Sequence, residues 1–209
     1  MTSTSLRTLT LSVAASVALF NPAAGCLAQS QPTKRAVVTQ PAKDESLRRE
    51  LLKMLDDDQA VRQRLIDAKM QGEALAREQQ TLDAANTKRL QEIFKTRGFP
   101  GAALVGKDGV GAVVVMLLHS PSLELQRMAL PHVERAARRG EVPPDSFALL
   151  TDDVLNAEGK PQLYGTNFDI KDGKLALAKT QDPARLDARR RKLHQIPIRE
   201  YAKFLAEMY

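Results

Sequence analysis

The chain has 209 residues, a formal net charge of +6, no tryptophan and 4% aromatic residues. So few rings argue against a module that stacks sugars or bases. The charge is too mild to mark a nucleic-acid binder, so no nucleic-acid partner is expected. One cysteine, Cys26, rules out a disulfide within the chain.

Residues 1–28 have the layout of a bacterial secretory signal. Arg7 is the only charged side chain before Lys34, and an apolar run from Leu9 to Phe20 follows it. That run is too short to span a bilayer, which needs roughly 20 apolar residues. Small residues come next, Ala23-Ala24-Gly25-Cys26 and then Leu27-Ala28, as at a cleavage site. The expected location is therefore outside the cytoplasm, in the periplasm or anchored in the envelope. Two cleavage modes fit. Ala23-Ala24-Gly25-Cys26 is similar to a lipobox, which would put a lipid on Cys26 and attach the chain to a membrane. Cleavage after Ala28 would release it. Loss of Arg7 lowers the charge from +6 to +5.

Residues 29–43 are polar, contain Pro32 and Pro41 and show no period, so they read as a flexible tether. Residues 44–209 are long enough for one domain with a core of its own. Its fold is expected to be mainly α, with one β-hairpin at about 162–178. Residues 45–78 carry apolar positions at helical spacing, with Asp56-Asp57-Asp58 expected to divide them into two helices. A helix over 82–97 stops at Gly98 and Pro100. Residues 101–109 read as loop, and 110–119 as a buried helix or, failing that, a buried strand. An amphipathic helix over 122–139 carries Pro131 as an expected kink and ends at Gly140. Residues 144–156 begin a helix with proline in its first turn. Asp172-Gly173 is a two-residue hairpin turn that would pair Ile170 with Leu175 and Phe168 with Leu177. Along that strand Tyr164, Thr166, Phe168 and Ile170 share one face, expected to meet the helices. Two short helices, 184–193 and 198–208, close the chain.

The informative residues are polar side chains placed where the helical period asks for apolar ones. Gln126 falls inside the arc of Leu123, Leu130, Val133 and Ala137. Asn86 lies between Leu82, Leu90 and Ile93, and Arg190 between Leu186 and Leu193. Asp58 falls on the stripe of Leu51, Met54, Val61 and Leu65, and His119 ends the most apolar helix. Burying such groups unpaired costs about 1–3 kcal/mol each, so they must meet each other, water or a ligand. Each also has a purely structural fate: Asp58 as a helix cap, Asn86 and Gln126 bonded to backbone at the hairpin, His119 as a satisfied core histidine, Arg190 extended to solvent. Asn86, His119, Gln126, Tyr164 and Arg190 are expected to converge in one region.

Gln162-Leu163-Tyr164-Gly165-Thr166, preceded by Leu150-Thr151-Asp152 and followed by Asp187, Arg189-Arg190 and Glu200-Tyr201, resembles an uncharacterised bacterial family, a domain of unknown function. Asp58-Gln59, Arg62, Asn86, Gly98, Val105-Gly106, His119 and Gln126 fit its pattern too, and the resemblance spans about residues 47–205. The chain departs from it at Leu118, where glutamine is usual, at Asp153, where arginine is usual, and at His194-Gln195 in place of Gly-Leu. The resemblance implies a shared pocket and names no reaction.

No metal and no cofactor are expected. His119, His132 and His194 lack ligand spacing, and there is no HExxH, no Cys pair, no GxxxxGK[ST] loop and no GxSxG elbow. His119 and Asp152 could form a general acid–base pair. Arg190 could hold an anion, and Tyr164 and Thr166 could donate hydrogen bonds. The candidate ligand-binding set is thus Asn86, Gln126, Gln162, Tyr164, Thr166 and Arg190. The expected function is an exported cell-envelope protein whose buried polar cluster binds a small ligand or organises the fold, its partner that ligand or an envelope component. The alternative is an envelope hydrolase using His119 and Asp152.

Overall fold

The computed structural model describes residues 42–171 and 174–208. The signal, Cys26, most of the tether and the Asp172-Gly173 turn itself lie outside the described residues. Among those described the fold is mainly α, seven α-helices and one two-stranded hairpin. No described helix is long and apolar enough to cross a membrane.

Helix α1 spans Glu45–Asp67 without interruption. Asp44 caps it, accepting from the Leu47 N–H at 2.9 Å. Asp56-Asp57-Asp58 does not divide it. Asp57 bonds Lys53 one turn earlier, and Asp58 points inward, so neither offers its oxygens to a new N-terminus. The break comes instead at residues 68–72, where Lys69, Met70 and Gly72 all have positive φ. Helix α2 then runs Glu73–Arg97 and stops at Gly98.

Helix α3, Ala102–Leu118, holds the centre of the core, burying Val105, Val110, Val113, Met116 and Leu117. It takes in residues 102–109 of the segment expected as loop. Gly106 sits inside it at φ 73° and ψ 168°, a kink rather than an end. A Cβ there would come within 2.7 Å of the Asp108 carboxylate, so glycine supplies both the angle and the space. Helices α1 and α5 pack on α3, and α2 and α4 also touch it. Helix α4, Leu123–Arg138, carries Pro131 within it and is capped by Ser122. Helix α5, Pro144–Ala157, starts on proline as expected.

Strands β1 (Phe168–Lys171) and β2 (Lys174–Leu177) pair antiparallel with Phe168 opposite Leu177 and Ile170 opposite Leu175. The register is the one the turn demands. The first strand is shorter than expected, because residues 162–167 form an irregular loop. Only the base of the hairpin packs. Phe168 is buried, with its ring 6.0 Å from Tyr201, while Ile170 is 55% exposed. The shared face expected from Tyr164 to Ile170 therefore ends at Phe168. A short 3-10 turn (Pro183–Arg185), α6 (Leu186–Lys192) and α7 (Ile198–Met208) complete the chain.

Candidate functional site

Most of the polar residues singled out in the sequence fall into two networks rather than one. The first lies at the C-terminal end of α3. His119 Nδ1 is 3.0 Å from both Asp58 oxygens and 2.9 Å from Arg62 Nε. The tautomer decides which partner it serves: protonated, Nδ1 donates to Asp58, and unprotonated, it accepts from Arg62. Arg62, 4% exposed, also bridges Asp58 at 3.2 Å and Asp83 at 2.6 Å. Asp58 thus sits mid-helix as an ion-pair partner, not a cap. Burial pushes its carboxyl up, but the His119 bond and the charges of His119 and Arg62 outweigh it and hold the group below its ordinary value. Asp83 goes the other way. Burial raises it, and the nearby Asp58 charge adds to that against the pull of Arg62.

Gln126 donates to the backbone carbonyls of Leu117 at 3.0 Å and Ser120 at 3.3 Å. It closes the end of α3, so its backbone partners are there and not at the hairpin. Asn86 is buried one turn beyond Asp83 on α2, and its amide nitrogen has no partner among the described residues.

Asp58, Asp83 and His119 offer ligand atoms within 4.8 Å of one another, a grouping that could hold a metal ion and that their wide sequence spacing hid. The Arg62 guanidinium bonds all three. It places a positive charge where a cation would have to sit, so this trio fits an ion only with Arg62 displaced.

The second network is built around Asp152, which is fully buried. Its two oxygens accept the backbone N–H groups of Leu163 (2.7 Å), Tyr164 (3.0 Å) and Thr166 (3.0 Å) and the Thr166 hydroxyl (3.0 Å). Burial raises its pKa and these donors oppose the rise. Gln162 bridges the same loop. Its oxygen accepts the Asn167 N–H at 2.8 Å, and its amide donates to Asn167 O and Ala178 O. Arg190, 2% exposed, donates to Tyr164 O and Ile196 O, both at 2.7 Å, and its guanidinium lies 4.8 Å from the centre of the Tyr201 ring. It does not reach out to solvent. Arg189 donates to Leu163 O at 2.7 Å and to Gln181 O and Asp182 O. Gly165 takes φ +71°, and a Cβ there would stand 2.9 Å from Ile198 and 3.2 Å from Leu186.

These bonds explain the residue types of the Gln-Leu-Tyr-Gly-Thr run. An irregular buried backbone must find partners, and Asp152, Gln162, Arg189 and Arg190 supply them. Asp153, next to Asp152 on α5, is pushed up to about 6 by burial, with Asp152 adding to the rise and Asn167 and His119 opposing it.

A cavity of about 580 Å³ opens beside this loop, between α4, the start of α5 and the end of α6. Tyr164 alone of the six candidate ligand residues lines it. Phe147, Pro144 and Leu193 give it apolar walls, and Glu134, Arg138, Arg189 and Lys192 give it charge. The Tyr164 ring packs edge-on to Phe147 at 6.0 Å. Burial raises the pKa of its hydroxyl, as do Asp152 and Glu134, while Arg189 and Arg138 lower it. Sequence reasoning passed over Arg62, Asp83 and Asp153 as partners, and Arg189 and Lys192 as lining. Asp83 and Asn86 share a face of α2 at helical spacing, a signal that was present.

With fold and geometry in place, the class is a small, mainly α domain that buries two polar networks and opens a charged cavity beside Tyr164. The chain belongs to a family of unknown function, DUF6624, matched over residues 45–209. No curated protein and no solved structure matches it.

Proposed function

We propose that the chain is an exported bacterial cell-envelope protein whose helical domain binds a small ligand in the cavity beside Tyr164, while its two buried polar networks organise the fold. The secretory layout of residues 1–28 supports the location, with Cys26 as the lipid attachment point or Ala28 as the cleavage site. The observation that carries the binding reading is the use of Asp152. Its oxygens are occupied by three backbone N–H groups and a hydroxyl of the loop, and that bonding leaves the Tyr164 side chain at the cavity wall. A cavity of this size, with apolar walls beside several charged groups, suits a small molecule. The hydrolase alternative asks Asp152 to exchange protons from a carboxylate already used as a scaffold. It also asks His119 to act from within an Asp58–Arg62 network.

The test is a thermal-shift screen of the mature protein against small organic molecules, alongside assays of chromogenic esters and amides. Ligands that raise the melting temperature of the parent and not of Tyr164→Ala support the reading. Hydrolysis that disappears in a folded His119→Gln variant would replace it with the enzyme. For export, Cys26→Ser should block processing or release the chain from membranes if Cys26 is lipidated. A mature N-terminus at Gln29 would show ordinary cleavage.

A further inference from the structure

We infer that the cavity beside Tyr164 selects a small organic anion with an apolar body. The inference rests on the reading of that cavity as the binding site and adds the class of ligand. The charges on its wall do not cancel. Glu134 is bonded to Arg138 at 2.6 Å, which removes one positive and one negative charge. Arg189 spends its donors on carbonyl oxygens. Those bonds fix the guanidinium in place without neutralising it, and no carboxylate pairs with it among the described residues. Lys192 likewise has no ion pair or hydrogen bond among them, and it is exposed at the rim. Two cations without a carboxylate partner among the described residues therefore line the cavity.

The geometry is preorganised for an anion. Arg189 is clamped by three backbone carbonyls, so little side-chain entropy is lost when a ligand arrives. The Lys192 ammonium can donate to a carboxylate or phosphate oxygen, and the fixed Arg189 charge adds attraction at longer range. The Tyr164 hydroxyl makes no hydrogen bond among the described residues and can donate to the same group. On the other side, Phe147, Pro144 and Leu193 offer apolar surface, and burying a ligand's apolar body there gains about 25 cal/mol per Å² removed from water. A fully polar ion would leave that surface unused, and a neutral apolar molecule would leave both cations without a partner.

The experiment is calorimetric titration of the mature protein with two isosteres, 2-naphthoate and 2-naphthamide. Binding of naphthoate on the order of tenfold tighter than naphthamide, weakening with added salt, is the expected result. Lys192→Glu should reduce naphthoate affinity and leave naphthamide unchanged, and because Lys192 makes no internal bond this variant should fold as the parent does. If naphthamide binds as well as naphthoate, or Lys192→Glu leaves naphthoate unaffected, anion selection is wrong although the cavity still binds ligands. If neither isostere binds, the cavity reading itself fails.

Discussion

At the end of α3, one buried cation, Arg62, is set against two carboxylates and a histidine. Around Asp152, one buried anion is set against three backbone N–H groups and a hydroxyl. The first network joins side chains from α1, α2 and α3, so each partner brings its own desolvation cost and the charges must match. The second joins a single side chain to the backbone of a loop that no regular structure could satisfy. The comparison teaches where each kind of error falls. Losing a partner in the first strands a charge inside the helical core. Losing Asp152 strands the backbone of one loop, and with it the wall of the cavity.

The largest effect is expected from Asp152→Ala. Four donors would lose their acceptor at about 1–3 kcal/mol each, and some relaxation should hold the total to about 5 kcal/mol in urea unfolding. Asp152→Asn keeps one acceptor oxygen and should lose about half of that. A near-neutral Asp152→Ala would break the contrast, since the loop would then need no anchor.

Arg62→Met comes next. It leaves Asp58 and Asp83 buried without their cation, at about 3–5 kcal/mol. Adding Asp83→Asn to it should recover part of the loss, because it removes one stranded charge. Non-recovery would mean that Arg62 acts by packing and not by charge.

Asp153 sharpens the comparison through pH. Its folded value, about 6, lies above the ordinary 3.8. Between those values the folded chain holds a proton that the unfolded chain has released, so this group's contribution to stability falls as pH rises from about 3.8 to 6 and is level above. Relative to the parent, Asp153→Asn should therefore gain up to about 3 kcal/mol between pH 4 and pH 7. Asp58 has the opposite sign. Its contribution is complete above pH 3.8 and is lost as pH falls through its lowered folded value. A difference between Asp153→Asn and parent that is flat with pH would show an ordinary carboxyl at Asp153.

The smallest effect is Gln126→Leu. It removes two bonds to carbonyls at the end of α3 and should cost about 1–2 kcal/mol without altering ligand binding at the Tyr164 cavity. Loss of binding with stability intact would move Gln126 from scaffold to site.

Much of the fold was legible because its signals are local. The apolar spacing of α1, the proline that opens α5 and the Asp172-Gly173 turn each act over a few residues, and the strand register followed from the turn alone. The misreadings share one cause, since glycine and aspartate carry several meanings. Gly106 only kinks α3 within a stretch that reads as loop, and Asp58 turns to the core instead of capping a helix. Of the site, the run around Tyr164 and the misplaced polar residues could be seen, because a polar group on an apolar stripe shows against its background. Their partners could not. Asp58 meets His119 across 61 positions of sequence, and Arg189 reaches Leu163 across 26. Nothing local marks such a pair. For the same reason the sequence offers His119 and Asp152 as a conceivable acid–base pair, whereas the structure turns His119 toward Asp58 and Asp152 toward the loop.

The central claim is that Asp152 locks the loop of residues 162–167 into the scaffold. Native-state hydrogen exchange at the Leu163, Tyr164 and Thr166 amides tests it most directly. If the lock holds, these three amides exchange only through global unfolding, with the same opening free energy as the core amides of α3. Exchange at an opening free energy well below that of α3, with the core still protected, would show a loop that opens on its own and would contradict the account.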